Sequence, residues 1–295
     1  MSDEGDEDFG FGEFGDDEGN TEEEPEPELE RVDDEAGDLG DPDDWFPDVT
    51  KGKDKGDEEG LRVGENRIRT GVNGLDEMID RGIPRGSMIA TVGSPGTGKT
   101  TFGMQFIHEG LSNGEKCVFF ALEQTEDSVR STADSMGWEF SRYEDEGSLE
   151  IVHMNPVEVA TSLNSIRNEL PRMLTDFGAS RVVFDSVTLI EMMFDTAGER
   201  RNQVFRFGKS LKDAGITVLM TSEASDDDAY KSKYGIIEYL ADAFVVLRYV
   251  REEGGSGTRM AVEIVKIRDT SHSRSIRPYE LTSEGIEVYS RASIF

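Results

Sequence analysis

The sequence predicts an α/β protein with a mostly parallel sheet, helices on both faces and an antiparallel β extension at the C-terminal end. Three observations carry this. A strand pattern runs directly into a glycine-rich loop and then a helical pattern between residues 87 and 107. Strand and helix patterns alternate from 116 to 221, and from 243 onward only β-rich runs follow.

Ser87–Val92 is a short apolar run of strand length, and Phe102, Phe106 and Ile107 then recur on one helical face, with Gly110 as the expected stop. Lys116–Leu122 reads as a strand and Glu126–Met136 as a helix. Leu149–Met154 is the next strand, and Val159–Phe177 is largely helical, with a kink expected at Pro171. Arg181–Asp185 is an apolar strand that ends in an acid. Arg200–Lys212 is a helix with apolar Val204, Phe205, Phe207 and Leu211, closed by Gly215, and Ile216–Thr221 is a strand. Alternation of this kind implies right-handed βαβ crossovers. Ala243–Val250 and Arg259–Ile267 flank the glycine-rich stretch 252–257 and read as an antiparallel hairpin, extended by Ile276–Leu281 and Ile286–Tyr289. No internal repeat is visible.

The loop between the first strand and helix is Gly93-Ser94-Pro95-Gly96-Thr97-Gly98-Lys99-Thr100, which fits G-x-x-x-x-G-K-[ST]. A strand, a glycine loop and a helix N-terminus aim several backbone N–H groups at one point, where an anion is stabilised. On that pattern Lys99 reaches the β- and γ-phosphates and the Thr100 hydroxyl ligates Mg²⁺. Hydrolysis needs more: an acid that positions the metal and a group that orients water. Asp185, delivered by a buried strand to the sheet's C-terminal edge, suits the first role; capping the next segment is its structural alternative. Glu123, at the end of the neighbouring strand, suits the second; a solvated strand-end glutamate is its structural alternative. Thr221 and Ser222 end the next strand, where they could sense a γ-phosphate or simply terminate the strand.

The formal net charge of −32 is uneven. Residues 1–60 hold 27 Asp and Glu against 4 Lys and Arg, whereas residues 61–295 hold 36 against 27. The first segment lacks hydrophobic periodicity and is expected to be a disordered acidic tail ahead of one α/β domain over 61–295. Phe9, Phe11 and Phe14, and Trp45-Phe46-Pro47, interrupt its polarity; they read equally as docking points for an unidentified protein partner or as parts of a solvating tail. Cys117 is the single cysteine, which excludes an intrachain disulfide, and its apolar surroundings suggest a buried strand residue. No apolar run approaches a membrane span and the N-terminus is unlike a signal peptide, so a cytoplasmic protein without membrane insertion is expected. The acid excess, with 20 Arg against 7 Lys in residues 61–295, is similar to proteins of high-salt cytoplasms.

Several segments then occur in a telling order: Thr70-Gly71-Val72-Asn73-Gly74-Leu75-Asp76, Gly82-Ile83-Pro84-Arg85-Gly86, the phosphate loop, Phe120-Ala121-Leu122-Glu123, Asp185-Ser186-Val187-Thr188, and Lys266-Ile267-Arg268-Asp269-Thr270-Ser271-His272. From about Thr70 to Tyr289 the chain resembles the RecA superfamily, and within it the KaiC-like ATPases in a single-domain, archaeal or halophilic form. The resemblance implies a RecA-like phosphate-loop core, ATP with Mg²⁺, and ring-forming subunits with ATP at each interface. It alone suggests six subunits; nothing in the composition gives that number. It implies ATP contacts from Gly93, Ser94, Gly96, Thr97, Gly98, Lys99, Thr100 and Thr101. It also implies that Lys266 and Arg268 reach a neighbour's nucleotide, with His272 and Thr270 near it. Two cations projecting from one strand edge would stabilise transition-state charge as an arginine finger does; without the resemblance, the residues alone favour an exposed basic strand face.

The departures from the family pattern matter. Glu123-Gln124 stands where clock members commonly carry two glutamates; the amide cannot act as a base, which implies either slower turnover or that Glu123 suffices alone. Glu238-Tyr239 corresponds to the phosphorylatable Ser-Thr pair of clock KaiC, so autokinase activity is not expected. Asp269 replaces a usual glycine, which predicts an altered turn. The sequence therefore points to an oligomeric ATP-binding protein with slow hydrolysis whose nucleotide state switches partner contacts. The alternatives are a non-catalytic scaffold resembling the accessory ATPase of the archaeal motility motor, or a recombinase-like DNA-repair ATPase. DNA binding is disfavoured, because Glu223, Asp226, Asp227 and Asp228 outnumber Lys231 and Lys233 in the loop expected to meet it.

Overall fold

Strands that are apolar on both sides need cover on both faces, and the computed structural model supplies it. The structure describes residues 66–251 and 257–294. The acidic tail with its aromatic patches, and all of the 252–257 turn except Gly257, lie outside them.

In chain order the elements are β1 (Arg67–Ile68), β2 (Ile83–Pro84), β3 (Met88–Gly93), α1 (Lys99–Ser112), β4 (Lys116–Ala121), α2 (Glu126–Ser135), α3 (Phe140–Asp145), β5 (Leu149–His153) and α4 (Pro156–Phe177). Then come β6 (Ala179–Asp185), α5 (Val187–Met192), α6 (Ala197–Asp213), β7 (Thr217–Glu223), α7 (Ile237–Leu240), β8 (Ala243–Arg251), β9 (Thr258–Ile267), β10 (Arg277–Thr282) and β11 (Gly285–Val288). One nine-stranded sheet has the order β11-β10-β9-β8-β3-β7-β6-β4-β5, and β1 pairs only with β2. The pairs from β8 through β5 are parallel, and those from β8 to β11 are antiparallel. The first arm of the expected hairpin, β8, thus belongs to the parallel core as well.

Alternate strand residues feed two cores. Ile89, Phe119, Val183 and Leu219 pack with Phe102, Phe106 and Ile107 of α1, Val129 of α2 and Phe140 of α3. Ala90, Val118, Val182, Phe184 and Val218 pack on the other face with Leu170 and Leu174 of α4, Ile190 of α5, and Val204, Phe207 and Leu211 of α6.

Two expectations change. Gly110 does not stop α1, which runs on to Ser112, with Gly114 in the left-handed region two residues later. Gly110 is instead a packing glycine, since a Cβ there would stand 2.7 Å from Cδ of buried Arg181. Helix α4 starts at Pro156, where the Asn155 side chain caps Val157 N–H, and it continues through Pro171 to a left-handed Gly178. The six-residue helices α3 and α5 carry too few turns to announce themselves by periodicity.

Candidate functional site

Strand β3 ends at Gly93, and the chain turns through Gly96 and Gly98 at φ +82° and +88°, a region that favours glycine, before α1 begins at Lys99. The loop is held from the side: the Tyr279 hydroxyl on β10 donates to Thr97 O at 2.6 Å. A Cβ on Gly98 would meet Leu281 at 2.6 Å, so β10 lies directly against the loop. Lys99 folds back, its Nζ donating to Gly93 O at 2.9 Å and Ser94 O at 3.3 Å.

The structure brings Lys99, Thr100, Thr101, Glu123 and Asp185 into one cavity of about 360 Å³, together with Pro95, Gly96, Gly98, Glu223 and Leu281. Thr100 Oγ1 donates to Asp185 Oδ2 at 2.7 Å, and Thr221 Oγ1 donates to Asp185 Oδ1 at 2.5 Å. Glu123 Oε1 accepts from Ser186 Oγ at 2.5 Å. The Asp185–Ser186 peptide is cis. Burial pushes the Asp185 carboxyl up, opposed by its two threonine hydrogen bonds. Burial pushes Lys99 down, opposed by the charges of Glu123, Asp185 and Glu223.

Three carboxylates against one lysine leave this end of the cavity short of positive charge. The Thr100 hydroxyl and Asp185 carboxylate already converge, which is a hard-oxygen donor set that suits Mg²⁺. The loop's N–H groups and Lys99 suit a phosphate chain. Tetrahedral soft-metal chemistry has no support, since the described residues contain no group of three or more His, Cys, Asp or Glu placed to hold a metal.

Lys266, Arg268 and His272 are not in this cavity. Lys266 pairs with Phe244, which is level with Ala90, three residues before Gly93. Arg268 N–H donates to Asp242 O, and Asp242 N–H donates to Met88 O at the start of β3. At about 3.3 Å per residue, Arg268 lies roughly 17 Å down the sheet from Gly93. Its Nη1 is 3.3 Å from Asp242 Oδ1, which Lys212 also engages. Burial and the neighbouring Arg268 charge both push Lys266 down. His272 bridges to Ile79, and its Nδ1 lies 3.4 Å from Thr270 O. Asp269 adopts φ +57°, so the left-handed turn that glycine would favour is kept, and Arg67 Nη2 donates to Asp269 O at 3.0 Å.

Thr221 and Ser222 are fully buried, Thr221 on Asp185 and Ser222 beside Thr188. Their hydroxyls serve the strand edge, and it is Glu223, two residues after Thr221 on the same side of β7, that lines the cavity. Glu223, Tyr279 and Leu281 carried no local sequence signal for this site, and Ser186 stood in a family segment without an assigned role. Gln124 does not line the cavity, and its Oε1 accepts from Ser128 Oγ at 3.1 Å.

A profile of the KaiC ATPase family matches residues 68–293. The circadian clock oscillator protein KaiC of Parathermosynechococcus lividus is 33% identical over 228 residues, which cover 75% of this chain and 42% of that protein. The KaiC of Synechococcus elongatus is 32% identical over 230 residues, covering 76% of this chain and 44% of that protein. The chain thus spans less than half the length of these curated relatives. A crystal structure of a KaiC-like protein from the hyperthermophilic archaeon Pyrococcus horikoshii OT3 superposes with a TM-score of 0.66 at 33% identity, covering 76% of this chain and 98% of that one. Sequence and fold agree: the chain belongs to the KaiC family of ATPases.

Proposed function

We propose that this protein binds ATP with Mg²⁺ at the Gly93–Thr100 loop, hydrolyses it slowly in an oligomer, and uses its nucleotide state to switch contacts with a protein partner. The observation that carries the reading is the convergence of Lys99, Thr100, Glu123 and Asp185 in one cavity. In this reading the loop N–H groups and Lys99 bind the phosphates, and Thr100 and Asp185 would hold Mg²⁺, which would neutralise phosphate charge. Glu123, oriented by Ser186, accepts a proton from the attacking water.

Lys266 and Arg268 stand at the opposite sheet edge from their own loop, so they can act on a nucleotide only when a second copy presents them. This geometry supports self-association. Gln124 supports a scaffold as the second reading, since its amide cannot replace a second carboxylate. For DNA, the loop after β7 offers little: Lys231 and Lys233 are paired with Asp228 and Asp226. Mg²⁺-dependent phosphate release by the purified chain, measured beside Lys99→Ala, tests the hydrolytic reading. Release no greater than that of the variant overturns it.

A further inference from the structure

Of the three carboxylates in the phosphate cavity, two are tied down. Asp185 accepts from Thr100 and Thr221, and Glu123 accepts from Ser186. The Glu223 carboxylate accepts no hydrogen bond among the described residues, yet its charge acts on Lys99. Its backbone, by contrast, is fixed on both sides. The N–H donates to Thr188 Oγ1 at 2.9 Å, and the carbonyl accepts from Lys233 N–H at 2.8 Å. Register places it beside Gly93, the first residue of the loop and the carbonyl that Lys99 Nζ engages. The other end of the cavity is closed by apolar Leu281 over Gly98. Gln124 is not among the lining residues, so Glu223 is the second glutamate of the cavity, contributed from a different strand than the sequence pattern suggests.

We propose that Glu223 sets the preference of this site between nucleoside triphosphate and diphosphate. A free carboxylate on a fixed backbone, at the end of the cavity where Lys99 lies, repels a terminal phosphate that the diphosphate lacks. The proposal rests on the ATP-binding reading above. Removing one unit of charge a few ångströms from a phosphate, at dielectrics between water and a protein surface, changes affinity by about tenfold.

The test is calorimetric titration of the full chain with ADP and with β,γ-imido-ATP at fixed Mg²⁺ and salt. Glu223→Gln, equal in size and neutral, is expected to tighten the imido analogue about tenfold while leaving ADP within about twofold. Glu223→Ala, also neutral, gives the same change in ratio if charge is the cause, and Glu223→Asp keeps the wild-type ratio. An unchanged ratio in both neutral variants overturns the proposal while leaving the ATP-binding reading intact. Wild-type protein that binds neither nucleotide overturns both.

Discussion

Glu191 is buried to 0% exposure on α5, and neither carboxylate oxygen has a hydrogen-bond partner. Its nearest cation, Arg200, spends its donors elsewhere, on Glu191 O at 2.7 Å and Phe194 O at 2.6 Å, and stacks on Tyr234. Burial therefore pushes the carboxyl from 4.5 up to about 8, with Arg200 opposing and Glu238 reinforcing. A carboxyl whose pKa rises on folding holds its proton more tightly in the folded chain. Its contribution is intact below pH 4.5 and is lost as pH rises toward 8. At about 1.4 kcal/mol per pH unit the loss reaches on the order of 3 kcal/mol at pH 7 and 4 kcal/mol at pH 8. Glu191→Gln cannot ionise, so its stability relative to wild type should climb by about 3.5 kcal/mol between pH 5 and pH 8. Urea unfolding of both proteins at fixed salt measures this, and the comparison cancels the titrating groups that do not interact with Glu191. Parallel pH profiles would refute the reasoning.

Three further outcomes are expected. Tyr279→Phe strips Thr97 O of its donor and should weaken ATP binding about three- to tenfold, read by calorimetry, with little change in melting temperature. Arg181→Met removes a buried cation that donates to Glu115 at 2.7 Å and to Arg69 O at 2.8 Å, and should cost about 3 kcal/mol in urea unfolding. Cys117, whose thiol burial pushes up to about 12, should resist iodoacetamide at pH 8 in the folded protein and react once unfolded, as read by intact mass.

The parallel core was legible because strands covered on both faces read as continuous apolar runs, and because Gly93–Thr100 punctuates one of them. Asp185 and Glu123 were legible as acids at strand ends. Glu223 was not. It also ends a strand, but the aspartates at 226–228 make it look like the start of a solvated loop, and only the register of β3 with β7 puts it beside Gly93. Tyr279 and Leu281 reach the phosphate loop from about 180 residues away, a contact that no local pattern encodes. Gly110 misled because a glycine near a helix end suits both a stop and a close approach, and the side chain that decides, Arg181, comes from another strand.

Mixing two disabled variants tests most directly whether the nucleotide site is shared between chains. Lys99→Ala lacks the phosphate lysine but still presents Lys266 and Arg268, whereas Arg268→Ala keeps the loop and lacks the arginine. Each should release phosphate at background rate alone, and the mixture, allowed to exchange subunits, should recover a substantial fraction of wild-type activity. Full activity in Arg268→Ala alone, or a mixture that stays at background although light scattering shows co-assembly, would contradict a shared site.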